Sequence, residues 1–251
     1  MAKLMLLDDD EEALMWMSAA LENRGHEVRT FSSARGALEV LEDVAPDLIV
    51  ADMMMPEIDG LAFARLAAER RETPLMFVSI AKREAEAVIA GALGYVQKPA
   101  TAAEIRAAVE RILGEGDRRA MILVVDDDPA VRDLYGLFLE GRFVVRTAEN
   151  GQEALELMRR ERMDLVIVDV HMPVMNGVEL VRAMRRDRAL ESIPTLVQTN
   201  DRSALEAPVW STLRVSKVMD KVELARWLEA RVGAPRPPRA RRTTRADRAH
   251  R

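Results

Sequence analysis

Residues 46–60, PDLIVADMMMPEIDG, and residues 163–177, MDLVIVDVHMPVMNG, are two versions of one pattern, and that pattern decides the fold. In each version a short apolar run ends in an aspartate, Asp52 or Asp169, and a proline and a glycine follow at the same distances. A short apolar run bounded by turn residues is typical of a buried strand. The chain is therefore predicted to contain the same strand and loop twice.

The repetition extends well beyond these two stretches. Residues 3–17, KLMLLDDDEEALMWM, correspond to residues 121–135, MILVVDDDPAVRDLY. Residues 73–82, TPLMFVSIAK, correspond to residues 193–202, IPTLVQTNDR. Aspartates and hydroxyl residues at matching places are separated by 117 to 120 positions. A separation this long and this constant indicates tandem duplication of a whole domain.

Each copy alternates short apolar runs with longer helical patterns. Runs such as LMLL and LIVA are followed by segments such as EALMWMSAALENRG, in which apolar residues recur at spacings of three and four. Strands that alternate with helices of this length predict βαβ units and a five-stranded, doubly wound parallel sheet in each copy. The predicted domains cover residues 1–113 and 121–232, with a linker at 114–120 and a disordered tail at 233–251.

Composition excludes several classes of protein. The 251 residues are 49% hydrophobic and 31% charged, which is normal for a globular chain. No run approaches the roughly 20 apolar residues of a membrane span, and the first residues turn acidic too early for a signal peptide. With Cys 0 and His 3, disulfides, thiolate zinc sites and a His-rich metal centre are excluded. We predict a cytoplasmic protein without membrane contact.

Charge is distributed unevenly along the chain. The formal net charge is -5, but the predicted tail alone carries seven arginines and one aspartate. A basic tail can attract nucleic acid through its charge. Because this tail lacks interleaved aromatic residues, we interpret it as a solvated segment and do not expect nucleic-acid binding.

Carboxylates follow the predicted strands in both copies. Asp8 and Asp9 follow LMLL, and Asp52 follows LIVA; the second copy has Asp126, Asp127 and Asp169 at the matching places. The carboxyl ends of parallel strands meet at one edge of a sheet. Like charges ~4 Å apart repel by roughly 4 kcal/mol at an effective dielectric constant near 20, so such a cluster raises a pKa or binds a cation. Oxygen ligands with room for water suit Mg²⁺ or Mn²⁺.

The remaining strand ends supply complementary groups. Ser79 and Thr199 end the fourth predicted strands, and Lys98 and Lys221 end the fifth. A carboxylate beside a metal, a hydroxyl and an ammonium group suits transfer of a phosphoryl group to that carboxylate. Asp10 and Asp128, in contrast, fit the N-caps of the helices that follow them.

In their order and residue types, these elements resemble the receiver domain of bacterial two-component response regulators. The matching stretches are LLDDD, ADMMMPEIDG, PLMFVS and GYVQKP in the first copy, and LVVDDDP, VDVHMPVMNG, PTLVQT and VMDK in the second. The resemblance implies two flavodoxin-like receivers in tandem, in which Asp52 and Asp169 accept the phosphoryl group. It also implies a signalling protein rather than an enzyme, without a separate output domain.

Further roles follow from the same resemblance. It implies that Mg²⁺ is bound by the acidic pairs and by the backbone carbonyls of Met54 and His171. It makes Ser79 and Thr199 the switch hydroxyls, Lys98 and Lys221 the phosphoryl-binding lysines, and Tyr95 the switch aromatic residue. The implied partners are a histidine kinase or phosphotransfer protein and a downstream protein. A homodimer and an intramolecular contact between receivers both remain open.

Several residues depart from the family pattern. Ile80 follows the first switch hydroxyl, where a small residue is usual, and Val218 replaces the aromatic residue in the second copy. Pro208 interrupts the fourth helix of the second copy, and Val222 replaces the proline that follows the lysine. These departures leave open an adaptor in which one copy is a docking pseudo-receiver. A third hypothesis is an aspartate-nucleophile phosphohydrolase. Such enzymes carry the pattern D-x-D-x-[TV] after the first strand, and this sequence has no Thr or Val there.

Overall fold

The computed structural model describes residues 1–115, 119–139 and 141–232. The predicted tail lies outside the described residues, as does the middle of the predicted linker. Strands and helices alternate throughout. The strands are β1 (Lys3–Leu7), β2 (Glu27–Phe31), β3 (Leu48–Ala51), β4 (Leu75–Ser79), β5 (Gly94–Gln97), β6 (Met121–Val125), β7 (Val144–Ala148), β8 (Leu165–Asp169), β9 (Thr195–Gln198) and β10 (Lys217–Met219).

The helices connect consecutive strands and cover both faces of each sheet. They are α1 (Glu11–Glu22), α2 (Ala34–Val44), α3 (Gly60–Arg70), α4 (Glu84–Ile89), α5 (Ala102–Glu115), α6 (Pro129–Leu139), α7 (Gly151–Arg160), α8 (Gly177–Arg186), α9 (Arg202–Leu205), α10 (Val209–Thr212) and α11 (Lys221–Val232). Within the described ranges, no helix combines the length and the apolar character that crossing a bilayer requires.

Two five-stranded parallel sheets confirm the predicted fold class. The strand order is β2-β1-β3-β4-β5 in the first sheet and β7-β6-β8-β9-β10 in the second, so the two orders are equivalent. In both, the chain reverses its direction across the sheet after the second strand is added beside the first. In doubly wound sheets, ligands bind at the carboxyl ends of the strands next to such a reversal. Here that point lies between β1 and β3, and between β6 and β8.

The apolar strands are buried because each side of the sheet faces a different group of helices. Alternate residues of β1 point to opposite faces. Leu6 belongs to the same apolar cluster as Met17 of α1. Leu7 belongs to the cluster that contains Leu41 of α2. A strand covered on both faces needs a continuous apolar run, and this explains why β1, β3 and β6 consist largely of apolar residues.

The two copies differ most in their fourth helix. In the first copy this helix is α4, which has only six residues. In the second copy it is split into α9 and α10, with Pro208 as the N-cap residue of α10, as the sequence predicts. Helix α4 of the first copy contacts α11 of the second within the same chain.

Candidate functional site

The first acidic site lies at the carboxyl ends of β1 and β3. These strands are neighbours, with Leu7 paired to Ala51, so the residues that follow them come together. Oxygen atoms of Asp8, Asp9 and Asp52 all lie within 4.8 Å of one another. Asp8 is 1% exposed and Asp52 7% exposed, whereas Asp9 faces solvent. Three carboxylates gathered with one open side fit a hard divalent cation that keeps part of its water shell.

Lys98, directly after β5, reaches across to this cluster. Its Nζ atom lies 2.6 Å from Oδ2 of Asp8 and 3.6 Å from Oδ2 of Asp52. Burial alone would lower the pKa of Lys98, but its contacts with Asp8 and Asp52 outweigh burial, so the pKa is raised. Burial raises the pKa of Asp8, although the hydrogen bond from Lys98 opposes that shift. The ammonium group therefore stays charged and partly neutralises the two buried carboxylates.

Close backbone turns hold the acidic side chains in place. The amide of Met53 donates to Oδ1 of Asp52 at 2.6 Å. The first turn of α3 then passes so near the end of β3 that a Cβ atom on Gly60 would lie 2.4 Å from the carbonyl oxygen of Asp52. The matching approach in the second copy is 2.2 Å, between Gly177 and the carbonyl oxygen of Asp169. This contact explains why both repeats have glycine eight residues after the aspartate.

The hydroxyl residue and the aromatic residue of the first copy also meet near this edge. Ser79 is fully buried at the end of β4. The hydroxyl of Tyr95 on β5 donates to the carbonyl oxygen of Ser79 at 3.4 Å. Burial, with a further contribution from the charge of Glu84, raises the pKa of Tyr95 to about 12. Tyr95 is therefore protonated and connected to the backbone of Ser79. In the second copy Val218 has no group that could do this.

The second acidic site is built from the same residue types with different contacts. Nζ of Lys221 lies 2.7 Å from Oδ2 of Asp126 and 3.2 Å from Oδ1 of Asp169. Burial raises the pKa of Asp169, opposed chiefly by the charge of Lys221. Asp127 is exposed, as Asp9 is. Across the described ranges, however, only the first copy has three carboxylates whose oxygens all lie within 4.8 Å of one another.

A buried amide also distinguishes the second site from the first. Gln198, the last residue of β9, is fully buried, and its Nε2 atom donates to Oδ2 of Asp126 at 2.8 Å. The hydroxyl of Tyr135 on α6 donates in turn to Oε1 of Gln198 at 2.5 Å. Burial, then the charges of Asp126 and Asp169, raise the pKa of Tyr135. The corresponding residues of the first copy, Val78 and Met17, cannot form these bonds.

An exposed contact spans the opening of the second site. Nε2 of His171 lies 3.1 Å from Oδ2 of Asp201, the residue two positions after Thr199. The amide of Asp201 donates to the Thr199 hydroxyl at 3.1 Å. Hydrogen bonds from Ser203 and then His171 lower the pKa of Asp201. His171 is thus in contact with the loop that follows the hydroxyl residue.

The structure thus brings together Asp8, Asp9, Asp52 and Lys98 in the first copy, and Asp126, Asp169 and Lys221 in the second. The roles predicted for the carbonyls of Met54 and His171 and for the hydroxyls of Ser79 and Thr199 stay predictions. Asp10 and Asp128 are confirmed as helix caps, because the side chain of Asp10 accepts from two amides of the following turn and that of Asp128 accepts from the amide of Ala130. The Gln198–Tyr135 and His171–Asp201 contacts were not predicted. A signal for the first was available in TLVQ, where a glutamine ends an otherwise apolar strand.

Comparisons with known proteins find one kind of domain in both copies. A profile described as the response regulator receiver domain matches residues 4–110 and 122–229. The transcriptional regulatory protein AfsQ1 of Streptomyces coelicolor is 28% identical over 222 residues, which cover 79% of this chain and 95% of that protein. An uncharacterized 14.6 kDa protein of Leptolyngbya boryana is 38% identical over 114 residues, which cover 43% of this chain and 86% of that protein. Among solved structures, the chemotaxis protein CheY4 of Vibrio cholerae aligns with 45% of this chain and 98% of its own, at 25% identity and a TM-score of 0.43.

Proposed function

The chain belongs to the response regulator receiver domain family of two-component signalling, with two receivers in tandem, and on this premise we propose that Asp52 and Asp169 are both phosphorylated. The observation that carries the proposal is the position of the lysine in each copy, between one buried carboxylate that can bind a metal and one that can act as nucleophile. An ammonium group there balances the charge that a phosphoryl group brings to the site.

The proposed reaction is an in-line transfer of a phosphoryl group, in which the attacking oxygen approaches opposite the bond that breaks. A carboxylate oxygen of Asp52 forms the new O–P bond while the N–P bond of a phosphohistidine breaks, and the histidine nitrogen leaves with the electron pair. Lys98 contacts one of the phosphoryl oxygens after moving away from Asp52. The Ser79 hydroxyl donates to another. In the second copy Asp169, Lys221 and Thr199 take the corresponding parts.

A divalent ion would be held by the remaining oxygens. Receiver domains bind Mg²⁺ in an acidic pocket, and the cluster of three carboxylates in the first copy fits that ion. When bound, Mg²⁺ neutralises charge on the phosphoryl oxygens. We assign Asp9 and Asp127 as direct ligands, Asp8 and Asp126 as ligands through water, and the carbonyls of Met54 and His171 as the third protein contribution. The same oxygen ligands can also bind Mn²⁺.

The output we propose is a change of surface rather than turnover of a substrate. Receiver domains interact with histidine kinases or phosphotransfer proteins, and such a donor is the partner we propose here. Phosphorylation draws Ser79 toward the new anion, and Tyr95, bonded to the carbonyl of Ser79, then changes its position on the face formed by α4, β5 and α5. A downstream protein or a second copy of the chain would read that face. We place these events in the cytoplasm and retain domain limits of 1–113 and 121–232.

Intact mass spectrometry tests the proposal. The full chain incubated with acetyl phosphate and Mg²⁺ is expected to gain up to two phosphoryl groups. Asp52→Asn and Asp169→Asn should each leave at most one, and the double variant none. Omission of Mg²⁺ should prevent both adducts. Absence of any adduct on the unaltered chain, with a cognate kinase as well as acetyl phosphate, would overturn the proposal.

A second candidate function applies to the second receiver alone. There, Asp126 is hydrogen-bonded to Gln198, and the oxygens of three carboxylates do not gather as they do in the first copy. These observations favour a docking pseudo-receiver. Binding of beryllofluoride, which mimics the phosphoryl group, separates the two functions. Mg²⁺-dependent binding to Asp169 in the Asp52→Asn variant would exclude the pseudo-receiver, and its absence would support it.

A further inference from the structure

The second receiver contains a buried chain of hydrogen bonds that ends on one of its acidic residues. The chain runs from Tyr135 on α6 through Gln198 on β9 to Asp126 after β6. Tyr135 is 1% exposed, and Gln198 and Asp126 are both fully buried. A buried amide must satisfy its donors and acceptors within the protein, so these bonds fix the Gln198 side chain.

The chemistry of the partners fixes the direction of the amide. A carboxylate can only accept, so the nitrogen of Gln198 has to face Asp126. The Tyr135 hydroxyl then donates to the amide oxygen. Turning the amide round would place its oxygen against the carboxylate, an acceptor against an acceptor. Gln198 is therefore held as a permanent donor to the carboxylate.

This donor occupies acceptor capacity that the first receiver leaves free. Oδ2 of Asp126 accepts from both Gln198 and Lys221, and Oδ1 accepts from the amide of Asp128. A carboxylate offers about four acceptor positions, so about one remains. Within the described ranges Asp8 accepts only from Lys98 and from the amide of Asp10, and the side chain of Val78 at the place of Gln198 has no donor. About two positions remain on Asp8 for metal-bound water.

We infer that Gln198, fixed by Tyr135, is a positioning residue that weakens divalent-cation binding by the second receiver relative to the first. The inference rests on the proposed function, since it concerns the same acidic sites. Metal-bound water has to displace the amide or share the last acceptor position of Asp126. Loss of the Gln198–Asp126 hydrogen bond on cation binding would cost about 1 kcal/mol, which corresponds to about a fivefold higher dissociation constant for the cation. The two receivers would therefore load, and become competent for phosphorylation, at different concentrations of free cation.

Mn²⁺ titration of the full chain, with the free ion measured by electron paramagnetic resonance, tests this inference. In an Asp9→Asn/Asp52→Asn background only the second receiver is read, and in an Asp127→Asn/Asp169→Asn background only the first. The second receiver is expected to bind Mn²⁺ about fivefold more weakly than the first. Gln198→Met, which keeps the volume but donates nothing, should remove most of that difference.

A second variant and a control make the result specific. Gln198→Val/Tyr135→Phe reproduces an apolar pair like that of the first receiver and should also lower the Mn²⁺ dissociation constant. Val197→Ala, one residue earlier on the opposite face of β9, should reduce stability to urea without changing Mn²⁺ binding. A dissociation constant that is unchanged or raised in both Gln198 variants would overturn the inference. Absence of Mn²⁺ binding by the first receiver would instead overturn the proposed function, and the inference with it.

Discussion

The two acidic sites contain a lysine and aspartates at matching places, yet the residue before the hydroxyl residue, Ser79 or Thr199, differs. In the first receiver the apolar Val78 precedes Ser79 in β4, and among the described side chains Lys98 alone donates a hydrogen bond to Asp8. In the second, Gln198 adds an amide donor to the lysine on Asp126. A family motif fixes which charged groups meet. Residues outside the motif decide how much of their bonding capacity is left for a ligand.

The groups around Ser79 and Thr199 also differ between the receivers. The first receiver has Tyr95 bonded to the backbone of Ser79, whereas the second has an aliphatic residue at that place. The second receiver instead has an exposed contact between His171 and Asp201 across its site. The aspartates and the lysine are thus the same in both copies, whereas the neighbouring side chains differ. We expect the two receivers to share the chemistry of phosphorylation and to differ in its control.

The largest predicted effect is a loss of folding stability that should be similar in both receivers. Gly60→Ala and Gly177→Ala would each place a Cβ atom against the backbone, 2.4 Å and 2.2 Å from a carbonyl oxygen. Backbone cannot yield as a flexible side chain can, so we expect each change to lower the free energy of unfolding by about 3 kcal/mol or more. Hydrogen exchange of peptides from β3 and β8 measures the two receivers separately.

Gly36→Ala is the matched control for this prediction. Gly36 lies in α2, and a Cβ atom there would meet nothing within 4 Å. Alanine is a better helix former than glycine, so this variant should be as stable as the unaltered chain or more stable. A small effect at Gly177 together with a large one at Gly60 would show that the loop after β8 is less tightly constrained than its counterpart.

The next effect should separate the receivers. Lys98→Met leaves Asp8, which is 1% exposed, without its side-chain donor, and we expect a loss of about 2 kcal/mol in the absence of divalent cation. In Lys221→Met, Gln198 still donates to Asp126. We therefore expect a loss smaller by about 1 kcal/mol, the worth of one hydrogen bond. Urea unfolding monitored by hydrogen exchange provides both values.

Added Mg²⁺ supplies the control for the lysine variants. It should restore part of the stability lost in Lys98→Met, because a cation can replace the missing positive charge. Lys217→Met, which removes an ammonium group 5.6 Å from the ring of Trp227 and leaves both acidic sites intact, should gain no more stability from Mg²⁺ than the unaltered chain does. Equal losses in Lys98→Met and Lys221→Met would contradict the role assigned to Gln198.

The lysine and aspartate positions were predictable from the sequence, and the Gln198 network was not. Strand ends that carry charge are visible in the sequence, and a parallel sheet brings its strand ends to one edge whatever the details of packing. Tyr135 and Gln198 are 63 positions apart, and their contact depends on how α6 packs on the sheet. Tyr135 also occupies an apolar position of that helix, so periodicity describes it as an ordinary core residue. The sequence does not reveal which core residues are bonded to one another.

The smallest effect concerns backbone strain at matching positions of the two site loops. Glu57 and Val174 both have positive φ angles, 61° and 67°. Such angles are costly for any residue with a Cβ atom and most costly for a β-branched one. Glycine adopts them without a clash. We expect Val174→Gly to raise the free energy of unfolding by roughly 0.5 to 1 kcal/mol, and Glu57→Gly by less, since glutamate is unbranched at Cβ.

Urea unfolding with hydrogen exchange in each receiver checks this prediction. The control is Val178→Gly. Val178 lies in α8, where glycine is unfavourable by about 1 kcal/mol relative to alanine. The control should be destabilised, so a general effect of glycine cannot imitate the gain. Val174 is 78% exposed, and its removal therefore costs little buried apolar surface. A loss of stability in Val174→Gly would mean that the valine side chain restricts the unfolded loop by more than its φ angle strains the folded one. The loops of the two receivers would then resemble each other in shape while differing in what stabilises them.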